Sequence, residues 1–159
     1  MKIGIIIHSH TNNTLSVGQR LADVMIAQGT SVIIERISSV NESPNTKESV
    51  QLITVPNLET YDYVILGAPV WGFNLSSIMT AYLLALPNLK GKHVACFVTE
   101  YFPKPWMGGN HAIKQMVQYI SRLDGTVTQT AVINWTSKSR EIQIENLISV
   151  FINSVKTNL

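Results

Sequence analysis

The chain has little charge and almost no cysteine, and each shortage excludes a class of protein. Only 14% of its 159 residues are charged, and 12 basic residues against 10 acidic ones leave a formal net charge of +2. Lys and Arg form no run, so the sequence favours neither a nucleic-acid surface nor another polyanionic partner. The single cysteine, Cys96, excludes an internal disulfide and a cysteine-ligated metal cluster. We expect a buried, inert thiol at this position, because it lies within an apolar run.

Long apolar runs are also missing. The apolar stretch at the amino terminus, Ile3 to Ile7, is followed at once by polar residues. A membrane-spanning helix needs about 20 apolar residues and a secretion signal needs roughly 7–15. We therefore expect a cytoplasmic protein that makes no use of a membrane, and a lone cysteine suits that reducing compartment.

What is present is enough apolar material for one core. Hydrophobic residues make up 45% of the chain, and its length is typical of one compact unit. No internal repeat, low-complexity tract or linker composition divides the sequence. We expect residues 1–159 to form a single domain.

Five short runs rich in β-branched and aliphatic residues are predicted strands. They are Ile3 to Ile7, Ser31 to Ile37, Tyr63 to Leu66, Val94 to Val98 and Val127 to Ile133. The apolar residues are continuous within these runs, which indicates strands buried on both faces, as in a parallel sheet covered by helices.

Helical periodicity fills most of the intervals between these strands. It covers residues 14–27, 75–86, 110–123 and 140–155. Gly29 and Gly125 follow two of these segments, where a left-handed residue commonly ends a helix. The alternation predicts an open, mostly parallel α/β sheet with right-handed crossovers. Residues 38–60 are polar and rich in turn formers, and the sequence does not decide whether they form a helix.

In such a sheet, ligands bind beyond the carboxyl ends of the strands. After the first predicted strand comes a run of hydroxyl and amide residues that opens a helix. It consists of Ser9, His10, Thr11, Asn12, Asn13 and Thr14. Backbone N–H groups, hydroxyls and a helix N-terminus together bind a phosphate dianion without Lys or Arg. The same run also fits an ordinary helix N-cap at Asn12 or Asn13.

Two further loops at this edge carry aromatic side chains. The loop after the third strand contains Pro69, Val70, Trp71, Gly72 and Phe73, and the loop after the fourth contains Thr99, Glu100 and Tyr101. The segment from Phe102 to Trp106 continues this second loop, and we expect its two prolines to keep it non-helical. A flat heteroaromatic ligand would stack on such rings, so the sequence predicts a mononucleotide pocket.

Other interpretations of these aromatic residues stay open. Trp71 also fits a core or dimer contact, because exposed aromatics often mark interfaces. The cluster from Tyr101 to Trp106 fits a cofactor lip, a lid over substrate or an oligomer surface. His8 is interpreted as the polar end of a strand, and His111 as a first-turn helix residue without chemistry.

The chain lacks the sequence motifs of several competing α/β classes. The chain has neither the G-x-G-x-x-G of a dinucleotide-binding domain nor the G-x-x-x-x-G-K-[ST] of a P-loop nucleotidase. A receiver domain, by its family resemblance, needs an acidic pair after strand one and an Asp at the end of strand three. This chain has His8-Ser9 and Ala68-Pro69 at those places.

At the loops described above, the chain resembles the flavodoxin-like family. The family's phosphate loop reads Ser/Thr-x-Thr-Gly-Asn-Thr, and Ser9 to Thr14 match it at all places but one. Tyr61 to Trp71 resemble the family's third strand and first flavin loop, and Gly91 to Thr99 its fourth strand. Gly108 and Gly109 lie where related members begin the next helix. The likeness covers residues 1 to about 155.

The resemblance implies a three-layer, doubly wound sandwich with a five-stranded parallel sheet of order 2-1-3-4-5, holding non-covalent FMN. The phosphate would rest on Ser9 to Thr14 and the ring between Pro69 to Phe73 and Thr99 to Tyr101, with the Gly72 carbonyl free to turn toward the flavin N5. Glu100 would tune the flavin potential or take a proton, although we interpret it as a solvated loop carboxylate.

The chain also departs from the family. Asn12 replaces the usual glycine, and asparagine tolerates left-handed backbone better than most residues. His10 is an addition that would bring positive charge to the phosphate when protonated. Electron-carrying members are strongly acidic, whereas this chain is slightly basic.

The predicted function is electron transfer through bound FMN, with a redox protein or a small-molecule electron acceptor as partner. No side chain is predicted to be catalytic, because the cofactor carries the chemistry. Two alternatives stay open: an NAD(P)H-dependent flavin or quinone reductase, and a flavin-free binding module that uses the aromatic loops for a partner. A homodimer is compatible with each.

Overall fold

The computed structural model describes the chain from Met1 to Leu159. Its strands are β1 (Lys2–Ile7), β2 (Ser31–Arg36), β3 (Ser38–Ser39), β4 (Leu52–Thr54), β5 (Tyr63–Trp71), β6 (Asn74–Leu75), β7 (His93–Glu100) and β8 (Thr126–Asn134). Its helices are α1 (Asn13–Ala27), α2 (Ser77–Ala85), α3 (Gly109–Arg122) and α4 (Arg140–Asn158), with one 3-10 turn, η1 (Pro105–Met107). All five predicted strands and all four predicted helices are present. None of the helices combines the length and the hydropathy needed to span a membrane.

The long strands form one parallel sheet in the order β2-β1-β5-β7-β8. Numbered among the five predicted strands, this is the order 2-1-3-4-5, so the expected topology is confirmed. The chain moves to one side of β1 to form β2 and then to the other side to form β5. The order therefore reverses at β1, and a crevice opens between the carboxyl ends of β1 and β5.

Both faces of the sheet are buried, which explains why the apolar residues do not alternate with polar ones. Ile3, Ile5 and Ile7 of β1 pack in a cluster with α1 and α4. Ile6 joins a second cluster that includes α2 and α3 on the opposite face. The prediction of a parallel sheet covered on both sides is confirmed, as is the burial of Cys96, whose thiol pKa burial raises to about 12.

The crossover from β2 to β5 contains no helix. Its regular structure is a short antiparallel pairing of β3 with β4. Ile37, Leu58 and Tyr61 nevertheless reach the core on the face of α2 and α3. These apolar residues lack the 3.6-residue spacing of a helix, so extended chain buries them instead.

Three local expectations about loops are wrong. Thr99 and Glu100, expected in the loop after the fourth strand, belong to β7, because both pair with β8. Pro69, Val70 and Trp71, expected in a loop, belong to β5, because Val70 and Trp71 pair antiparallel with β6 across a tight turn. The proline-containing loop after β7, expected to be non-helical, includes η1, where Pro105 occupies the first turn that proline tolerates.

The left-handed residues that end helices are also partly different from expectation. Gly29 after α1 has φ +82°, as predicted. After α3 the left-handed residue is Asp124, with φ 63°, and not Gly125. Aspartate is among the few residues that tolerate this conformation.

Candidate functional site

The loop between β1 and α1 presents a row of free backbone donors. The amide groups of residues 10–14 donate to no group of the chain. The next amide, of Leu15, donates to Ser9 Oγ at 3.2 Å, and the amide of Ser16 begins the helical ladder by donating to the Asn12 carbonyl. These free donors stand at the positive end of a 15-residue helix, an arrangement that binds anions.

Asn12 adopts the left-handed conformation, with φ 67° and ψ 1°, and its side chain forms no capping hydrogen bond. The alternative in which the Asn12 side chain caps α1 is therefore not realised. The polar side chains around it take different positions. Ser9 and Thr14 are buried, whereas Thr11 is exposed. The Thr14 and Thr99 hydroxyls lie 2.7 Å apart and join the loop to β7.

His8, which follows β1 directly, is completely buried. Its Nδ1 lies 2.8 Å from Ser76 Oγ, while Nε2 has no hydrogen-bond partner and lies 3.7 Å from a Glu42 oxygen. Burial is the largest cause that lowers the pKa of His8, and the nearby His10 and Arg36 lower it further, to about 4. The imidazole is therefore neutral at pH 7.

The Trp71 indole contacts two imidazole rings. The rings of His8 and His10 meet the indole edge-on, at centroid distances of 5.0 and 5.7 Å. The indole is half-buried and is not part of either buried core cluster, although it packs against one of them. Its contacts with His8 could not be found from sequence, because nothing in the pattern distinguishes His8 from any polar strand end.

The turn after Trp71 is built from two left-handed residues, Gly72 at φ 54° and Phe73 at φ 65°. The Gly72 carbonyl accepts a hydrogen bond of 2.8 Å from the Asn74 side chain. Phe73 is 58% exposed and stacks on Phe102 with the ring planes 2° apart. A Cβ at Gly108 would lie 3.1 Å from the Phe73 backbone, so this glycine lets the two loops approach.

Glu100 corrects the sequence interpretation most clearly. It was expected to be a solvated carboxylate, but it is only 3% exposed. One carboxylate oxygen accepts the Gly109 amide at 2.8 Å and the other accepts from the Asn134 amide nitrogen. Glu100 is buried because β7 continues through it to the place where α3 begins and β8 ends. Burial raises the pKa of Glu100, although both hydrogen bonds act in the opposite direction.

These loops enclose a cavity of about 250 Å³. Nine of the residues predicted for the site line it. They are His10, Thr11, Asn13, Pro69, Val70, Trp71, Thr99, Glu100 and Tyr101. The other seven belong to the same loops or the adjoining start of α3 but do not form the wall. They are Ser9, Asn12, Thr14, Gly72, Phe73, Gly108 and Gly109.

One lining residue, Pro44, was not predicted. It comes from the β2–β5 crossover, which has no periodic pattern to show where it lies. A wider concavity of about 630 Å³ lies between the outer faces of α1 and α4. Its wall carries no aromatic side chain and no buried polar atom without a partner, so nothing there selects a ligand.

The cavity at the sheet edge therefore joins three chemical features: backbone amides without an acceptor in the chain, aromatic rings and one buried carboxylate. No serine or cysteine nucleophile lines it. A five-stranded parallel sheet of this order, with its cleft at the carboxyl edge of β1 and β5, defines the doubly wound α/β class with the flavodoxin fold.

Comparison with solved structures agrees with this fold. An oxidised flavodoxin of Bacillus cereus superposes with a TM-score of 0.68 at 18% identity, covering 96% of this chain and 98% of its own. The two-electron reduced flavodoxin of Megasphaera elsdenii gives 0.68 at 22% identity, with 93% and 96% covered. A flavoprotein of Lactobacillus acidophilus in complex with FMN gives 0.61 at 15% identity, with 82% and 92% covered. No protein-family model matches the chain, and no curated protein sequence matches it either.

Proposed function

We propose that this chain binds FMN non-covalently at the carboxyl edge of its sheet and transfers electrons through it. The observation that carries the proposal is the row of free amides at residues 10–14, because His10, Thr11 and Asn13 of this row line the same cavity as Trp71 and Tyr101. A phosphate and a planar ring are the two parts of a ligand that such a cavity would select. Since fold alone does not fix function, the proposal depends on this site and not on the structural likeness.

The residues present fit the cofactor. The phosphate would be held by the amides of residues 10–14 and by the Thr11 hydroxyl, which is exposed and has no partner in the chain. The ring would lie against Trp71 and Tyr101. When bound, FMN supplies reversible one- or two-electron transfer, and the chain supplies its orientation and its electrostatic surroundings.

The size of the cavity indicates how the cofactor would be held. Most ligand sites enclose about 300–1,000 Å³, and this one encloses about 250 Å³. We therefore expect part of the cofactor to remain open to solvent. An open edge suits electron exchange with a partner, for which we propose a redox protein or a small-molecule acceptor in the cytoplasm.

A second candidate function is that of an NAD(P)H-dependent reductase. NAD(P)H would reduce the bound flavin, and the flavin would then reduce a planar second substrate. The observation that favours it is the stacked Phe73–Phe102 pair, which exposes apolar rings beside the cavity. The FMN-loaded protein should then oxidise NADPH in the presence of excess flavin or a quinone, whereas an electron carrier should not.

FMN titration followed by flavin fluorescence tests the main proposal. We expect saturable quenching by the wild-type protein and weaker binding of riboflavin, which lacks the phosphate. Thr11→Ala should weaken FMN binding at least tenfold, because a hydrogen bond to a charged group contributes roughly 1.5–3 kcal/mol and about 1.4 kcal/mol corresponds to a factor of ten. Trp71→Ala should weaken FMN and riboflavin alike, since stacking on an aromatic side chain contributes roughly 1–3 kcal/mol.

Thr60→Ala is the matched control, because Thr60 is exposed on a turn and makes no side-chain hydrogen bond. It should bind FMN as the wild type does. If the wild-type protein does not quench FMN at tens of micromolar, the proposal fails and a flavin-free binding module becomes the better account. Equal affinity for riboflavin and FMN would contradict the role of the amide loop.

A further inference from the structure

The cavity contains one ionisable group that FMN binding does not require. Glu100 lines the wall, and its side chain is removed from bulk solvent by the start of α3, the end of β8 and Gly108. A Cβ on Gly109 would lie 2.8 Å from one carboxylate oxygen, so the helix start closes tightly over it. A carboxylate with this little exposure is rare in proteins unless a cation pairs with it.

No cation pairs with Glu100. It takes part in no ion pair, and its two partners are neutral donors, the Gly109 amide and the Asn134 amide group. The positive end of α3 gives partial compensation. The other titratable groups near it are Tyr101 on the following loop and His10 across the cavity. Neither β5 nor the first turn of α3 presents an acidic or basic side chain to the cavity wall.

A buried carboxylate without a counter-ion responds strongly to new negative charge nearby. Two like charges a few ångströms apart in a partly dehydrated site repel by several kcal/mol, so one of them takes up a proton. Burial already raises the pKa of Glu100 in the cofactor-free chain. Electrons delivered to a ligand in this cavity would raise it further.

We infer that Glu100 binds a proton when a flavin in this cavity is reduced, and so couples electron transfer to proton uptake. The inference rests on the proposed binding of FMN. The external donor loses the two electrons that the flavin gains, and one solvent proton converts the Glu100 carboxylate to a carboxylic acid. This proton is additional to those that the flavin itself binds, and no covalent bond forms between Glu100 and the cofactor.

A purely structural role for Glu100 predicts something different. As the acceptor of the Gly109 amide, the carboxylate ties α3 to β7 and to Asn134. Glu100→Gln retains a carbonyl that can accept the Gly109 amide but has no titrating proton. If Glu100 only stabilises the helix start, this variant should alter stability but leave the proton count of reduction unchanged.

The test counts protons during reduction of the FMN-loaded protein. A reduced viologen, a one-electron donor that carries no proton, is added in weakly buffered solution with a pH indicator. We expect the wild type to take up as much as one more proton per flavin than Glu100→Gln. As the pH rises, the midpoint potential of the wild type should fall by about 30 mV per pH unit more than that of Glu100→Gln. The reason is that a tenfold change in a two-electron equilibrium equals about 30 mV.

Glu141→Gln is the matched control. It removes the same charge at the start of α4, where Glu141 is exposed and paired with Arg20, and it should behave as the wild type does. Should Glu100→Gln fail to fold, infrared difference spectra of the wild type with isotope-labelled glutamate provide the answer. Reduction should then produce the carbonyl band of a protonated glutamic acid.

The outcomes separate this inference from the proposed function. Failure to bind FMN overturns both. FMN binding with equal proton uptake and equal potential slopes in the wild type and Glu100→Gln overturns the proton-coupling role alone. FMN binding without a glutamic acid band on reduction has the same consequence. Equal shifts in Glu100→Gln and Glu141→Gln would assign the effect to overall charge and likewise overturn the inference.

Discussion

A single buried histidine makes the stability of this molecule depend on pH. His8 is neutral in the folded chain because burial, with His10 and Arg36, lowers its pKa to about 4, whereas the unfolded chain restores it to 6.5. Between these values the unfolded chain binds more protons than the folded chain. The free energy of unfolding is therefore highest above pH 6.5 and falls as the pH drops toward 4.

We expect urea denaturation of the cofactor-free protein to show a loss of about 2 kcal/mol between pH 7 and pH 5 from His8 alone, since one pKa unit corresponds to 1.36 kcal/mol. His8→Gln should remove most of this dependence. The control is His111→Gln, because His111 is exposed on the first turn of α3 and its loss should preserve the wild-type pH profile. A His8→Gln profile as steep as the wild type would contradict the account.

Residue types at the site were easier to predict than residue environments. The hydroxyl and amide run from Ser9 to Thr14 predicted a polar loop that opens a helix, and this loop is present because its pattern is local in the sequence. The burial of Glu100 could not be foreseen in the same way. It depends on Gly109 and on Asn134, which is 34 positions away in sequence, and only the folded chain brings these groups together.

At the scale of elements, the start of α1 depends on one backbone conformation. Asn12 has φ 67° and uses no side-chain hydrogen bond at the helix end. The left-handed conformation costs roughly 1–2 kcal/mol for a residue with a Cβ. Glycine has no such cost, and the cost for asparagine is smaller than for most residues. The loop conformation that frees the amides of residues 10–14 therefore tolerates few residues at this position.

We expect Asn12→Ala to lower the free energy of unfolding by about 1 kcal/mol and to weaken FMN binding, with Asn12→Gly retaining both. Urea denaturation and FMN titration of the two variants provide the measurements. If Asn12→Gly were as damaging as Asn12→Ala, the asparagine side chain, and not its backbone angle, would be the feature that the loop requires.

Elements with a strong period were predictable, and those without one were not. The α3 segment places Met116 and Ile120 on one stripe, and both are buried in the helix that forms there. The crossover from β2 to β5 has no period, so neither its β3–β4 pairing nor the position of Pro44 at the cavity could be anticipated. The extension of β5 to Trp71 was missed because it depends on pairing with β6, a tertiary effect that local pattern does not contain.

At the scale of the whole molecule, the order of the strands determines where the candidate site lies. Continuous apolar strands require helices on both faces, and right-handed crossovers then bring the loops after β1, β5 and β7 to one edge. Residues far apart in sequence, such as Thr11, Trp71 and Tyr101, meet there around one cavity. The fold was therefore predictable from the alternation of patterns, and the edge at which the candidate site lies followed from the topology.

Binding of FMN at this edge is tested most directly by amide chemical-shift mapping of isotope-labelled protein. On addition of FMN we expect the largest shift changes at residues 10–14, 70–73 and 99–101. In a separate titration with riboflavin, we expect shift changes at residues 70–73 and 99–101 but none at residues 10–14. Absence of shifts at saturating FMN, or shifts confined to the groove between α1 and α4, would contradict the account.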